Sequence, residues 1–443
     1  MSTAKPPDPT KCVEAGAWTA LPVAPPTVTT LDFATVSSAA NAAILTAGKM
    51  TVHMVGCAGD PEVSGPGLAV AGAMASQVNP PPNGTAAAPS FLYHLGDIAY
   101  TESGATMTSA LWEQQFFTQY VSYASSGTPL PIFAIAGNHD GRGGTPPDTE
   151  ASHFLQNFCG TLGSVSPDNT VDPARTEMCQ PYPYWLLETP YAYFIGLYTN
   201  VANGGILDDP NGYADPTTGP QYQWLLTQLT NCKSPDSSGS TKAVLLLMHY
   251  PPYSGAANFT QRGDPTLGQY TGAANTIPIG MLLQKAFAAA GKIPDAIFCA
   301  HAHLYQRLTI TYRDPTGNTT QQVPLLIAGA GGHTQLEVVG EACSGQPGSV
   351  AAPPFDIFAA GNIPMGLTAP PDASIALESY FDGANQSAQP YGFLRVTVTP
   401  TSLTGEYFTI DCNASGAVVG QLTLSDSFTL DLTTHLIATE DVL

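Results

Sequence analysis

The sequence predicts an α/β fold. Short apolar runs of strand length alternate with segments whose apolar residues recur at three- and four-residue spacing, an alternation that builds a sheet with helices on its faces. Several runs are nearly continuous Val, Leu, Ile and Phe, as in strands buried on both sides. Residues 392–432 differ. They alternate with period two, as in Phe393-Leu394-Arg395-Val396-Thr397-Val398, and predict closing antiparallel strands.

The strand-like runs fall at 51–55, 91–95, 132–136, 191–197, 243–248, 296–299, 308–312 and 325–328. Helical patterns fall at 111–123, 151–158, 222–229 and 279–290. Residues 1–48 are rich in Pro, Ala and Thr and read as an irregular N-terminal extension without chemistry. Residues 49–443 read as a single domain, with Gly-, Pro-, Asn- and Asp-rich loop insertions at 200–220, 231–240, 254–276 and 340–390.

At 43 % apolar, the 443 residues can bury a large core, yet charged residues are only 11 %, far below the ~25 % of an average soluble domain. Lys plus Arg number 13 against 34 Asp plus Glu, so the formal charge is −21 and nucleic acid is not expected as a partner. A small anionic substrate in that field needs a local cationic site, for which a bound metal ion is the obvious source. No apolar run approaches the ~18 residues of a membrane span, so no membrane partner is expected. The eight cysteines include no CxxC pair, which argues against a zinc ribbon or redox motif. Cys159 and Cys179 are the first choice for a disulfide. Loop cysteines, few Lys and Arg, and many Thr and Ser point to a periplasmic or secreted location, although no signal peptide is visible. Nothing in the sequence addresses oligomeric state.

The chemistry lies where strand-like runs end. Residues 91–95 run into Gly96-Asp97-Ile98-Ala99-Tyr100, and 132–136 into Gly137-Asn138-His139-Asp140. Residues 243–248 end at His249, and 296–299 lead into Ala300-His301-Ala302-His303. The carboxyl ends of such strands form the edge where α/β proteins bind ligands. Histidine and carboxylate suit Zn and Fe, and an Asp has two oxygens that can bridge two ions. His301 and His303 would share a side if extended, or reach two different ions from a turn. Two ions ~3.5 to 4 Å apart can clamp a phosphoryl group and generate hydroxide at neutral pH.

The ordered set Gly-Asp-x-x-Tyr, Gly-Asn-His-Asp, a strand-terminal His and His-x-His resembles the calcineurin-like metallophosphoesterases. Within them it is most similar to the purple acid phosphatases, through Tyr100, through Leu247-Met248-His249-Tyr250-Pro251-Pro252-Tyr253, and through Ala300-His301-Ala302-His303-Leu304-Tyr305-Gln306-Arg307. The resemblance spans about residues 50–335. It implies a two-sheet β-sandwich flanked by helices (αββα) and a phosphatase that releases phosphate from phosphomonoesters with metal-bound hydroxide. It implies two metal ions, Fe with Fe, Zn or Mn. Asp97 would bridge them, Asn138, His249 and His301 would complete one, and Tyr100 and His303 would belong to the other. His139 would face the substrate as general acid or electrostatic stabiliser, with Asp140 orienting the site behind it.

One departure stands out. Where the family has its first aspartate ligand, this chain has Cys57 in Cys57-Ala58-Gly59-Asp60. Cys57 could bind as thiolate, Asp60 could reach the ion, or the site could be weak. A thiolate would favour softer ions such as Zn. Tyr253 and His333 are further candidates for substrate contact. Against each stands a plainer reading: a lone strand-end His is more often a packed core residue, and tyrosines near strand ends usually pack. His94 reads as a packed or supporting group, and His53, His153 and His435 as structural. Arg307 reads as an ion-pair partner. A phosphodiesterase on the same scaffold, or a non-catalytic binding protein with a degenerate site, are the alternative functions.

Overall fold

The computed structural model describes residues 27–60, 65–78, 88–101, 106–125, 127–141, 150–160, 179–200, 205–206, 215–232, 241–256, 277–313, 317–334, 336–340, 352–358, 370, 373–385 and 387–438. Residues 1–26 of the expected extension, Cys12, Cys343 and much of the four expected long loops lie outside the described residues.

The first strands are β1 (Thr30–Asp32), β2 (Met50–Val55), β3 (Phe91–His94), β4 (Ala124–Ser125), β5 (Thr128–Pro129), β6 (Ile132–Ala134), β7 (Trp185–Glu188), β8 (Ala192–Gly196) and β9 (Ala243–Leu247). Then follow β10 (Ala296–Cys299), β11 (Tyr305–Arg313), β12 (Thr319–Ala328), β13 (Phe355–Asp356), β14 (Ala373–Phe381), β15 (Gln389–Val398), β16 (Ser402–Cys412), β17 (Thr423–Asp431) and β18 (Leu436–Ile437). Among the described residues one sheet runs β1-β7-β8-β9-β10-β12-β11-β14-β13 and a second β18-β17-β16-β15-β2-β3-β6. A small β4-β5 hairpin stands apart.

Strand alternation sorts side chains into layers. Leu245 and Leu247 of β9 point between the sheets, where they meet Met50, Val52, Met54, Phe91 and Tyr93. Val244 and Leu246 point outward and pack with Leu225, Leu229, Leu282 and Phe287 of helices Pro220–Asn231 and Ile279–Ala290. Behind the second sheet, Val55, Leu92 and Ile132 meet Val70, Met74, Trp112 and Phe116 from helix Gly65–Val78 and the helical stretch after Thr108. The result is two mixed β-sheets face to face with helices outside, the αββα layering. A central strand covered on both sides has no polar face, which is why β9 reads Ala-Val-Leu-Leu-Leu.

The described part of the expected extension is not irregular. β1 adds in parallel to β7, and helix Ser38–Ala47 follows, capped by Ser37 and closed by Gly48 at φ +65°. Phe33 is fully buried against Phe91 and Phe133, so this stretch belongs to the core. The expected Cys159–Cys179 disulfide is not formed. Cys159 is a free thiol, because the main chain bridges Cys159 to Gln180 in parallel, with Gly160 N–H donating to the Gln180 carbonyl. That register sets Gln180, rather than its neighbour, opposite Cys159.

Parallel pairing decides where the strands end. β2-β3-β6 in one sheet and β8-β9-β10-β12 in the other are parallel runs, so their carboxyl ends gather at one edge of the sandwich. Main-chain bonds stitch the two sheets there: Gly56 N–H donates to the Ala328 carbonyl (2.9 Å) and Gly331 N–H to the Gly56 carbonyl (3.1 Å).

Candidate metal centre

Cys57 follows β2, Asp97 follows β3, Asn138 follows β6, and His249 and His301 follow β9 and β10. Three of these residues have left-handed backbone: Cys57 at φ +51°, Asp97 at φ +55° and His301 at φ +65°. Such φ values are uncommon for side chains other than Gly and cost about 1–3 kcal/mol each, so the surrounding structure must impose them. The turn at His301 gives the two imidazoles of the His-x-His spacing different partners. Its Nδ1 lies 2.9 Å from Asn138 Oδ1, whereas His303 Nε2 lies 3.3 Å from the Tyr100 hydroxyl.

Glycines make room for Asp97. A Cβ on Gly137 would strike the Asp97 carboxylate, and one on Gly96 would lie 2.7 Å from His249 Nδ1. This explains Gly-Asp and Gly-Asn-His-Asp physically. Asp140 accepts N–H bonds from Asp97 (2.7 Å), Ile98 (3.0 Å) and Gly137 (2.9 Å), and so fixes the turn behind the site. Burial, then the charge of Asp97, pushes the Asp140 carboxyl up to about 7, while those N–H groups favour its ionised form.

Asp97 Oδ1 accepts the His139 N–H at 2.8 Å; Oδ2 accepts the Tyr100 hydroxyl at 3.1 Å and lies 3.3 Å from His249 Nε2. His249 Nδ1 lies 2.8 Å from the Leu95 carbonyl, which can only accept, so Nδ1 carries the proton. Nε2 therefore faces the site, 2.9 Å from Asn138 Oδ1 and 3.3 Å from the Asp97 carboxylate, where it carries a second proton or, with that proton displaced, turns a lone pair toward a bound cation. A buried carboxylate, an amide oxygen and an imidazole nitrogen converging in this way can share either a proton or a metal ion. Among the described residues, Cys57, Asp97 and His249 form one set of donors close enough to hold a metal ion, with their ligand atoms within 4.8 Å of one another.

Electrostatics agree. Burial would raise the Asp97 carboxyl, but His249 and His139 hold it well below the usual carboxylate range. Burial opposes charge on His249, yet Asp97 overrides it and raises the imidazole. Burial, then Asp97, pushes the Cys57 thiol and the Tyr100 phenol up. Both would therefore ligate only with a cation beside them to displace the proton.

The other candidates divide. His139 and His333 are half-buried, with rings 4.2 and 4.4 Å from the Tyr100 ring; His333 is also 4.4 Å from His303. Tyr253 is not brought to the site. It is buried in the outer core layer, against Gly280 and Phe358, because the chain turns away after Pro252. Asp60 does not turn toward the donor cluster; its Oδ2 accepts both the N–H (3.1 Å) and the hydroxyl (2.7 Å) of Thr334. Arg307 forms a two-pronged ion pair with Asp426, and His53 and His94 are fully buried.

Two supporting residues escaped sequence reasoning. Gln115 sits in a π-helical turn, Glu113–Phe117, and clamps Tyr100 at both main-chain atoms: Oε1 accepts its N–H and Nε2 donates to its carbonyl, each at 2.8 Å. Asn200 Nδ2 donates to the Gly137 carbonyl at 2.7 Å. Neither residue belongs to a motif, and no local spacing marks it.

The fold is an α/β sandwich with a candidate metal-binding site at its strand-end edge. The chain belongs to the calcineurin-like phosphoesterase family, whose pattern residues 72–305 match, more than half of its length. No curated protein matches it. Among solved structures it is similar to GAP50, described as the anchor in the inner membrane complex of Plasmodium, at 11% identity over 85% of this chain and 90% of that one, with a TM-score of 0.44. It is also similar to PhoD, at 12% identity over 88% of this chain and 71% of that one, with a TM-score of 0.45. Among the described residues no helix is long and apolar enough to cross a membrane.

Proposed function

We propose that the protein is an acid phosphatase that releases phosphate from phosphomonoesters at a site holding two metal ions. The observation that carries this reading is the convergence of nitrogen, oxygen and sulfur donors around Asp97. Asn138 Oδ1 lies 2.9 Å from both His249 and His301, the Tyr100 hydroxyl reaches Asp97 and His303, and Cys57 lies within 4.8 Å of both Asp97 and His249. Two ions would divide these donors as Asn138, His249 and His301 against Cys57, Tyr100 and His303. Asp97 would bridge. The donor chemistry fits such ions: nitrogen and oxygen suit Fe, Zn or Mn, Tyr100 as phenolate suits ferric iron, and Cys57 as thiolate biases its ion toward a softer metal.

When bound, the ions supply charge for the phosphoryl oxygens and acidity for the attacking water. The chain's own residues do the rest. His249 is locked by the Leu95 carbonyl with Nε2 facing the site, and Asn138 is held between two imidazoles. His139, fixed through its N–H on Asp97 and half-open to solvent, would stabilise the phosphoryl oxygens and donate a proton to the leaving alkoxide. Asp140 would take no part in proton transfer; it holds the Asp97 and Gly137 main chain in place.

Turnover of an aryl phosphate against its bis-aryl diester, after reconstitution with iron and zinc, tests the reading. Faster monoester cleavage is expected. Faster diester cleavage would make the protein a phosphodiesterase, and absent hydrolysis in a folded, metal-loaded protein would make it a binding protein.

A further inference from the structure

The outer rim of the site is made of imidazoles. Cys57, Asp97, Asn138 and His249 are at most 1 % exposed and Tyr100 is 2 % exposed, whereas His139, His301, His303 and His333 are half-buried. An anion arriving from solvent meets histidines first. The three described arginines are engaged elsewhere: Arg307 with Asp426, Arg313 with Gly317 and Thr319, and Arg395 with Glu406. Among the described residues the arginines are thus held elsewhere, and the histidines are the cationic donors seen at the rim.

His333 is the rim imidazole whose placement is most elaborate. β12 runs parallel to β10, so the Gly329–His333 turn leaves the first sheet at the edge where the donors gather. Gly331 and Gly332 let that turn lie directly on the loop after β2, since a Cβ on Gly331 would strike the Gly56 carbonyl and one on Gly332 the Ala58 carbonyl. The His333 N–H then donates to the Cys57 carbonyl at 3.0 Å, and Asp60 takes both polar hydrogens of Thr334. The Cys57-Ala58-Gly59-Asp60 segment thus grips the backbone on either side of His333. Its ring is wedged between those of Tyr100 and His303, which are 6.2 Å apart.

We propose that His333 is a substrate phosphoryl contact, donating a hydrogen bond to a non-bridging oxygen of a phosphomonoester, and that Asp60 and Thr334 are positioning residues that hold it there. The proposal rests on the phosphatase reading above and adds a second rim imidazole beside Tyr100, whose ring both His139 and His333 contact. It also gives Asp60 a function: the carboxylate three residues beyond Cys57 orders the loop that carries a substrate group.

The experiment uses the full-length, metal-loaded protein and two probes, an aryl phosphate for turnover and inorganic phosphate for calorimetric binding. His333→Ala is expected to raise KM and the phosphate Kd about tenfold or more, the size of one hydrogen bond to a charged group, with kcat changed far less and metal content unchanged. Thr334→Val and Asp60→Ala should move KM in the same direction with metal content unchanged, and Asp60→Asn, which keeps an acceptor, should restore much of the loss. The double variant Asp60→Ala/His333→Ala should be no worse than His333→Ala alone. Unchanged KM and Kd in His333→Ala, in a wild type that hydrolyses, overturns this inference alone. Loss of a metal ion in Asp60→Ala overturns the positioning role. A wild type that neither hydrolyses the ester nor binds phosphate overturns both this inference and the reading it rests on.

Discussion

The hydroxyl of Tyr100 lies 3.1 Å from Oδ2 of Asp97, the phenol reaching back to a carboxylate three residues earlier in the same strand-end loop. The same hydroxyl is 3.3 Å from His303 Nε2, so Tyr100 joins the Asp97 side of the site to the His-x-His turn. A phenol in this position donates its proton to Asp97 unless a ferric ion takes that proton's place. Iron-loaded protein should therefore show a visible charge-transfer band, and Tyr100→Phe should abolish it without changing the far-ultraviolet circular dichroism. A band that persists in Tyr100→Phe would assign the colour to another ligand, Cys57 first.

The clamp on Tyr100 predicts a stability effect. Gln115 is fully buried and makes two bonds to the Tyr100 main chain, so Gln115→Leu leaves a buried N–H and a buried carbonyl unsatisfied. A loss of about 2–4 kcal/mol is expected from two such groups, read from urea denaturation. A change under 1 kcal/mol, roughly the worth of one ordinary bond, would mean that water replaces the amide.

Gly137→Ala tests the cradle. The added methyl group must displace the Asp97 carboxylate, because a Cβ there collides with it. Metal content after dialysis should fall, with the secondary structure retained. Full metal retention would show that the turn can relax without disturbing Asp97.

Acid should weaken the fold through His53. Burial is the main cause that lowers this imidazole to about 3, with the nearby Arg395 adding to it, while Gln77 opposes through its side-chain bond. Tyr123 faces the other ring nitrogen, and Glu406 pairs with Arg395. The folded value is depressed, so the unfolded chain binds the proton first. The stabilisation is complete above pH ~6.5 and is lost as pH falls toward 3, amounting to about 2 kcal/mol by pH 5. His53→Gln should flatten the fall in stability between pH 6.5 and 4, measured by denaturant midpoints. An unchanged slope would place the acid sensitivity elsewhere.

Much of the site was legible because its residues stand where apolar runs stop. Asp97, Asn138, His249 and His301 each follow a strand whose buried core makes it unmistakable, and the parallel order then brings them to one edge. Helix Gly65–Val78 was not legible: its Gly- and Ala-rich sequence gives little contrast between faces, although Val70, Met74 and Val78 are buried. β1 was hidden for a similar reason, since three residues in a Pro- and Thr-rich stretch carry no period. Tyr253 was misplaced because a tyrosine near a motif looks the same whether it enters the site or the outer core. The Asp60–Thr334 bonds join residues 274 positions apart, and Gln115 meets Tyr100 through a π-helical turn, so neither left a local pattern to read.

Metal stoichiometry of the purified, reconstituted protein bears most directly on the account. Elemental analysis should find two ions per chain in the wild type and a loss of both in Asp97→Ala, because each ion depends on that carboxylate. A wild type that retains no ion, or an Asp97→Ala protein that retains its full complement, would contradict it.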